Sequence, residues 1–108
     1  VSARPEQGLL FLARVEAEFE DWIVTPAGRH VENEVLRLAL EDVAAGERRG
    51  EINFYLALVR RTSRALTKDR AGYACNNNHR SLLARRLMER HPELRDFFKT
   101  RALRGKAA

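Results

Sequence analysis

Apolar side chains recur at helical spacing over most of this chain, and no long run alternates with the two-residue period of a strand. That single pattern restricts the fold to packed amphipathic helices, so the expected class is mostly α: one small domain of four to five helices. A first helix is predicted from about Glu6 to Trp22, with Leu9, Leu12 and Phe19 on its apolar face and Leu10, Phe11 and Val15 widening it. Thr25-Pro26-Ala27-Gly28 is expected to break it. A second helix is predicted from about His30 to Ala45, carrying Val31, Val35, Leu38 and Ala39, with Gly46 placed to end it. After the polar turn Glu47-Arg48-Arg49-Gly50, a third helix should run from Glu51 to about Leu66. Ile52, Tyr55, Leu56, Val59 and Leu66 share one face, flanked by Phe54 and Leu58, and Arg60, Arg61 and Arg64 gather opposite with Asn53.

The stretch Thr67–Cys75 is polar and interrupted by Gly72, and reads as a loop or short hairpin with Tyr73 and Cys75 turned inward. Asn76-Asn77-Asn78 supplies caps for a fourth helix from about His79 to Arg90. Its buried arc is Leu83, Ala84, Leu87 and Met88. Ser81, Arg85, Arg86, Glu89, His79 and Arg90 surround the remainder, with Leu82 among them. Pro92 opens a last short helix whose Leu94, Phe97 and Phe98 fold back onto the core, and the tail from about residue 102 is expected to fray.

At 108 residues the chain fits one domain, taken as 1–108 without a linker or an internal repeat. Hydrophobic residues make up 44%, enough for a core, and with aromatics at 7% that core is mainly aliphatic. The single cysteine, Cys75, cannot form an intrachain disulfide, which excludes a disulfide-stapled scaffold. No apolar run approaches the roughly 18 residues of a membrane span, and the first residues lack the apolar stretch of a signal peptide. The expected setting is cytoplasmic, with no membrane partner.

Charge divides the chain. Residues 1–47 carry four basic side chains against ten acidic ones, a balance of −6, while residues 48–108 carry sixteen against five, a balance of +11. The net +5 therefore conceals an acidic half and a basic half. Seventeen of the twenty basic residues are Arg, which forks onto phosphate and guanine in a way Lys cannot. A basic half of this kind attracts a polyanion.

Two helices joined by a loop, the second capped by polar residues and rich in Arg, fit a helix-turn-helix arrangement. The ten-residue connection favours a variant with a hairpin insert or a winged-helix relative. On this reading Arg60, Arg61 and Arg64 contact phosphate, while Arg85, Arg86 and Arg90 lie nearer a groove with Asn77 and Ser81. Arg48, Arg49, Lys68 and Arg70 flank the duplex. Arg80 falls on the buried arc and is expected to pair internally, with Asp96 or Glu93 as candidate partners. Of the three consecutive Asn residues, at least one is expected to serve as a cap.

Other chemistries find little support. Cys75, His79 and His91 offer too few donors for a closed zinc site, with only His30 left to complete it. No phosphate-cradling glycine motif is present, and no acid–base or nucleophile constellation emerges. The chain is read as non-catalytic, with no metal and no cofactor.

Asn76-Asn77-Asn78-His79-Arg80, followed by Ala84-Arg85, Met88-Glu89, Pro92-Glu93-Leu94, Phe97-Phe98 and Arg101, resembles the C-terminal signature of a group of small phage, prophage and mobile-element proteins. Ile52-Asn53 matches the pair that opens a helix upstream in that group. The resemblance spans roughly residues 47–104. It departs over Asp21–Pro26, where the group carries a His/Asn/Pro-rich segment. It implies a mobile-element origin and a small accessory role, without a defined activity.

The expected function is thus DNA binding by an accessory or regulatory protein, acting as monomer or homodimer, with RNA left open as the nucleic acid. The alternative is a protein-interaction module docking on an acidic host protein, anchored by exposed Trp22, Leu82 or Phe98. A third arrangement pairs the acidic half of one copy with the basic half of another. An Arg-lined concavity with Trp22 buried would favour nucleic acid over a protein partner.

Overall fold

A computed structural model describes residues 5–62 and 77–99. Among these the chain forms α1 (Pro5–Ile23), α2 (Pro26–Ala44), α3 (Ile52–Thr62) and α4 (Asn77–Arg90), followed by a 3-10 turn at Pro92–Leu94. The mostly helical class is therefore correct. The expected hairpin or wing over residues 67–75 lies outside the described residues, as do the expected last turn of the third helix and the tail.

The break between α1 and α2 is shorter than the sequence signals imply. It falls at Val24-Thr25, and Pro26, Ala27 and Gly28 already belong to α2. Thr25 is the N-cap: its hydroxyl oxygen accepts from the Gly28 N–H at 3.1 Å and its hydroxyl donates to the Trp22 carbonyl at 2.6 Å. Pro26 then sits in the first turn, where its missing N–H leaves no helical bond unmade. Gly28 is buried where α2 starts back along α1. A Cβ there would run into the Trp22 carbonyl oxygen and lie 2.8 Å from the Ile23 Cα. The glycine that reads as a breaker is thus a close-approach residue within a helix.

The other end of α2 follows the expected chemistry. Gly46 adopts φ 98°, the Gly46 N–H donates to the Val43 carbonyl at 3.0 Å, and the Glu47 N–H donates to Asp42 at 2.9 Å. These two bonds form a Schellman cap, and glycine is the residue that enters that left-handed position without strain.

The core is built from i, i+4 stripes. Phe19 and Ile23 of α1 meet Val31, Val35 and Ala39 of α2, Tyr55, Leu56 and Val59 of α3, and Leu83, Ala84 and Leu87 of α4, and Val15 of α1 is also buried. Leu94, Phe97 and Phe98 close the base, as their spacing after Pro92 predicts. Each Val, Leu, Ile or Phe among them, once removed from water, contributes about 1.5–3 kcal/mol. Phe97 and Phe98 meet edge-to-face at 5.1 Å, and Phe98 meets Tyr55 the same way at 5.9 Å. The Gly50 N–H donates to the Phe97 carbonyl at 3.0 Å, and Gly50 forms an isolated parallel bridge with Phe98. The α2–α3 turn is thereby tied to the C-terminal segment.

α4 is well enclosed: from His79 to Arg90 only Glu89 and Arg90 are exposed. It packs against α1, α3 and the 3-10 turn, and an ion pair joins it to α2. No described helix is long and apolar enough to cross a membrane.

Candidate nucleic-acid interface

Charge follows the helices. α1 and α2 together carry nine acidic side chains and three basic ones, whereas α3 and α4 carry six Arg and one Glu. The two basic helices are neighbours, joined by a hydrogen bond from Arg80 Nη1 to Asn53 Oδ1 at 3.0 Å. The split visible along the sequence is therefore also a split between packed pairs of helices.

The arginines of the two basic helices differ in what they touch. Arg60 and Arg61, in the last turn of α3, are exposed and make no ion pair or side-chain hydrogen bond among the described residues. Cations at a helix C-terminus also sit favourably against its partial negative charge. Arg90, at the end of α4, is likewise exposed. Arg85 and Ser81 are half-buried, and Asn77 opens α4 as the first helical residue. Arg48 and Arg49 are exposed in the α2–α3 turn. Arg64, Lys68 and Arg70 lie outside the described residues.

Arg86 requires a correction. It does not face a groove, because its Nε donates to Glu32 Oε2 at 2.5 Å, with the two side chains only 25% and 16% exposed. Arg86 lies one turn beyond Leu83 on the inner side of α4, where a cation must have a partner. Arg80 is only half-buried, and the hydrogen bond it donates to Asn53 of α3 lies at the surface and not in the interior as expected.

His79 also leaves the solvent arc assigned to it. It is buried, stacked at 6.2 Å on Trp22 and edge-on at 5.7 Å to Phe19. Burial lowers its pKa below the ordinary histidine value, with the nearby Glu18 charge opposing that shift. His79, Ala84, Phe97 and Phe98 are thus core groups, and Arg80 bonds to Asn53.

The anchors expected for a protein partner are not exposed. Phe98 is 3% accessible, and Trp22 and Leu82 pack against the core. Among the described residues, the exposed large apolar ones are Leu10, Val24 and Phe54. The concavity differs as well. A groove of 840 Å³ lies between the α2–α3 turn and the C-terminal segment, and its lining includes Asp42, Glu47, Glu51 and Asp96 against Arg49 and Lys99. It is acidic rather than Arg-lined. Within it the Tyr55 hydroxyl donates to Asp42 Oδ2 at 2.5 Å, and burial together with that carboxylate raises the Tyr55 pKa well above its usual value. In the sequence, only the position of Phe54 at the margin of the apolar arc of α3 signals this groove.

Comparison with protein-family models, curated proteins and solved structures finds no match for this chain.

Proposed function

We propose that the protein is a non-catalytic nucleic-acid-binding accessory protein that contacts phosphate through the exposed arginines of α3 and the end of α4. The observation that carries this reading is the segregation of charge between helix pairs, with Arg60, Arg61 and Arg90 facing solvent and no described carboxylate paired to them. Unpaired guanidinium groups on a helix pair with a single acid are available to displace counterions from a duplex. Arg85 and Ser81 are half-buried on α4, and Arg86 is held by Glu32. A small regulatory role of mobile-element origin, which the resemblance of the C-terminal third implies, is part of the same proposal.

Fluorescence-anisotropy titration of a labelled duplex DNA pool tests the reading. Three phosphate contacts imply a drop in affinity of about 40-fold between roughly 50 and 200 mM salt. A duplex that fails to bind at the lower salt overturns the proposal and leaves the arginines for an acidic protein surface.

A further inference from the structure

The groove at the opposite end of α3 repels the ligand that Arg60 and Arg61 attract. Its floor is aromatic, made by Tyr55 and Phe97 with Phe54 standing 57% exposed at the margin. Its rim is acidic: Glu47 closes α2, Glu51 precedes α3, and Asp96 projects from the C-terminal segment. All three carboxylates are exposed and make no ion pair among the described residues. The Tyr55 hydroxyl bond to Asp42 adds a fourth carboxylate held at the floor. Arg49 and Lys99 also line the groove, leaving its walls with four negative and two positive side chains.

We propose that this groove binds a basic, extended peptide segment of a partner protein, with an apolar side chain laid on Phe54 and flanking Arg or Lys residues reaching the rim. Charge complementarity selects the occupant. The walls are net negative, so phosphate and acidic peptides are disfavoured. The carboxylates come from two stretches of chain, residues 42–51 and Asp96, around an open space of 840 Å³, which an extended chain can cross while meeting both. The groove walls are also fixed relative to one another. The Gly50–Phe98 bridge fastens the turn to the C-terminal segment, and a Cβ at Gly50 would meet the Tyr55 hydroxyl at 2.7 Å. A site with preset walls loses little order on binding.

The test uses the full chain and a fluorescein-labelled peptide of alternating Arg and Leu, titrated by anisotropy at about 150 mM salt. Binding that weakens at least fivefold in Phe54→Ala, and again in Glu47→Gln/Glu51→Gln, is the expected result. Glu16→Gln/Glu20→Gln on the more acidic α1 should leave it within twofold, and a peptide with Glu in place of Arg should not bind. Each altered side chain is exposed, and circular dichroism checks that every variant stays folded. Equal weakening by the α1 and groove variants, or indifference to Phe54→Ala, reduces the interaction to diffuse attraction and overturns the proposal, as does absence of binding. None of these outcomes depends on whether DNA binds the far end of α3.

Discussion

α3 and α4 look alike as sequences, each an amphipathic helix with several arginines, yet the fold uses them differently. α3 buries one stripe, Tyr55, Leu56 and Val59, and leaves Arg60 and Arg61 in water. α4 is packed from several sides, burying Leu83, Ala84 and Leu87 completely, and its Arg80 and Arg86 bond to other helices. The difference is one of neighbours. An arginine is available for a ligand only where the fold gives it no internal acceptor, and helix composition alone does not reveal that.

The largest test of this contrast is in the core. Leu87→Ala should destabilise the protein by about 2–5 kcal/mol in chemical denaturation, since its side chain has no exposure and leaves a cavity. A cost below about 1 kcal/mol would mean that α4 is not the enclosed helix described. The next effect is ionic. Arg86→Ala strands Glu32 half-buried and should cost about 1–3 kcal/mol. Arg60→Ala and Arg61→Ala should each fall within about 0.5 kcal/mol of the parent, as exposed substitutions do. If all three variants melt alike, the two helices do not differ as claimed.

A smaller effect is set by pH. Unfolded, His79 takes up its proton near the ordinary histidine pKa of about 6.5, whereas in the folded protein burial delays that uptake to lower pH. Unfolding therefore binds a proton in this interval, so the stability present above about pH 6.5 declines as pH falls through the window below it. Thermal melts from pH 8 to 5 should show this decline, and His79→Gln should flatten the part that comes from this residue. An unchanged profile in the variant would place the acid sensitivity elsewhere.

Much of the architecture was legible beforehand. The i, i+4 stripes of α2, the glycine cap at Gly46 and the return of Phe97 and Phe98 to the core follow from local pattern, because each depends on residues close in sequence. What the pattern missed depends on distant partners. Gly28 reads as a breaker until Trp22 is known to lie against it. His79 and Arg86 lie one turn from Leu83, so their position on the inner side of α4 was readable, but the Trp22 stack and the Glu32 pair were not. The acidic groove draws on α2, the α2–α3 turn, α3 and the C-terminal segment, and no one stretch announces it.

The central claim is that the arginines of α3 serve a ligand while Arg86 serves the fold. The direct measurement is the salt dependence of duplex DNA binding for Arg60→Ala/Arg61→Ala beside Arg86→Ala, both held well below their melting temperatures. The account predicts that the double variant lowers the slope of log K against log salt by about 1.8, two phosphate contacts' worth, while Arg86→Ala leaves the slope unchanged. A slope lowered by Arg86→Ala and untouched by the double variant would contradict it.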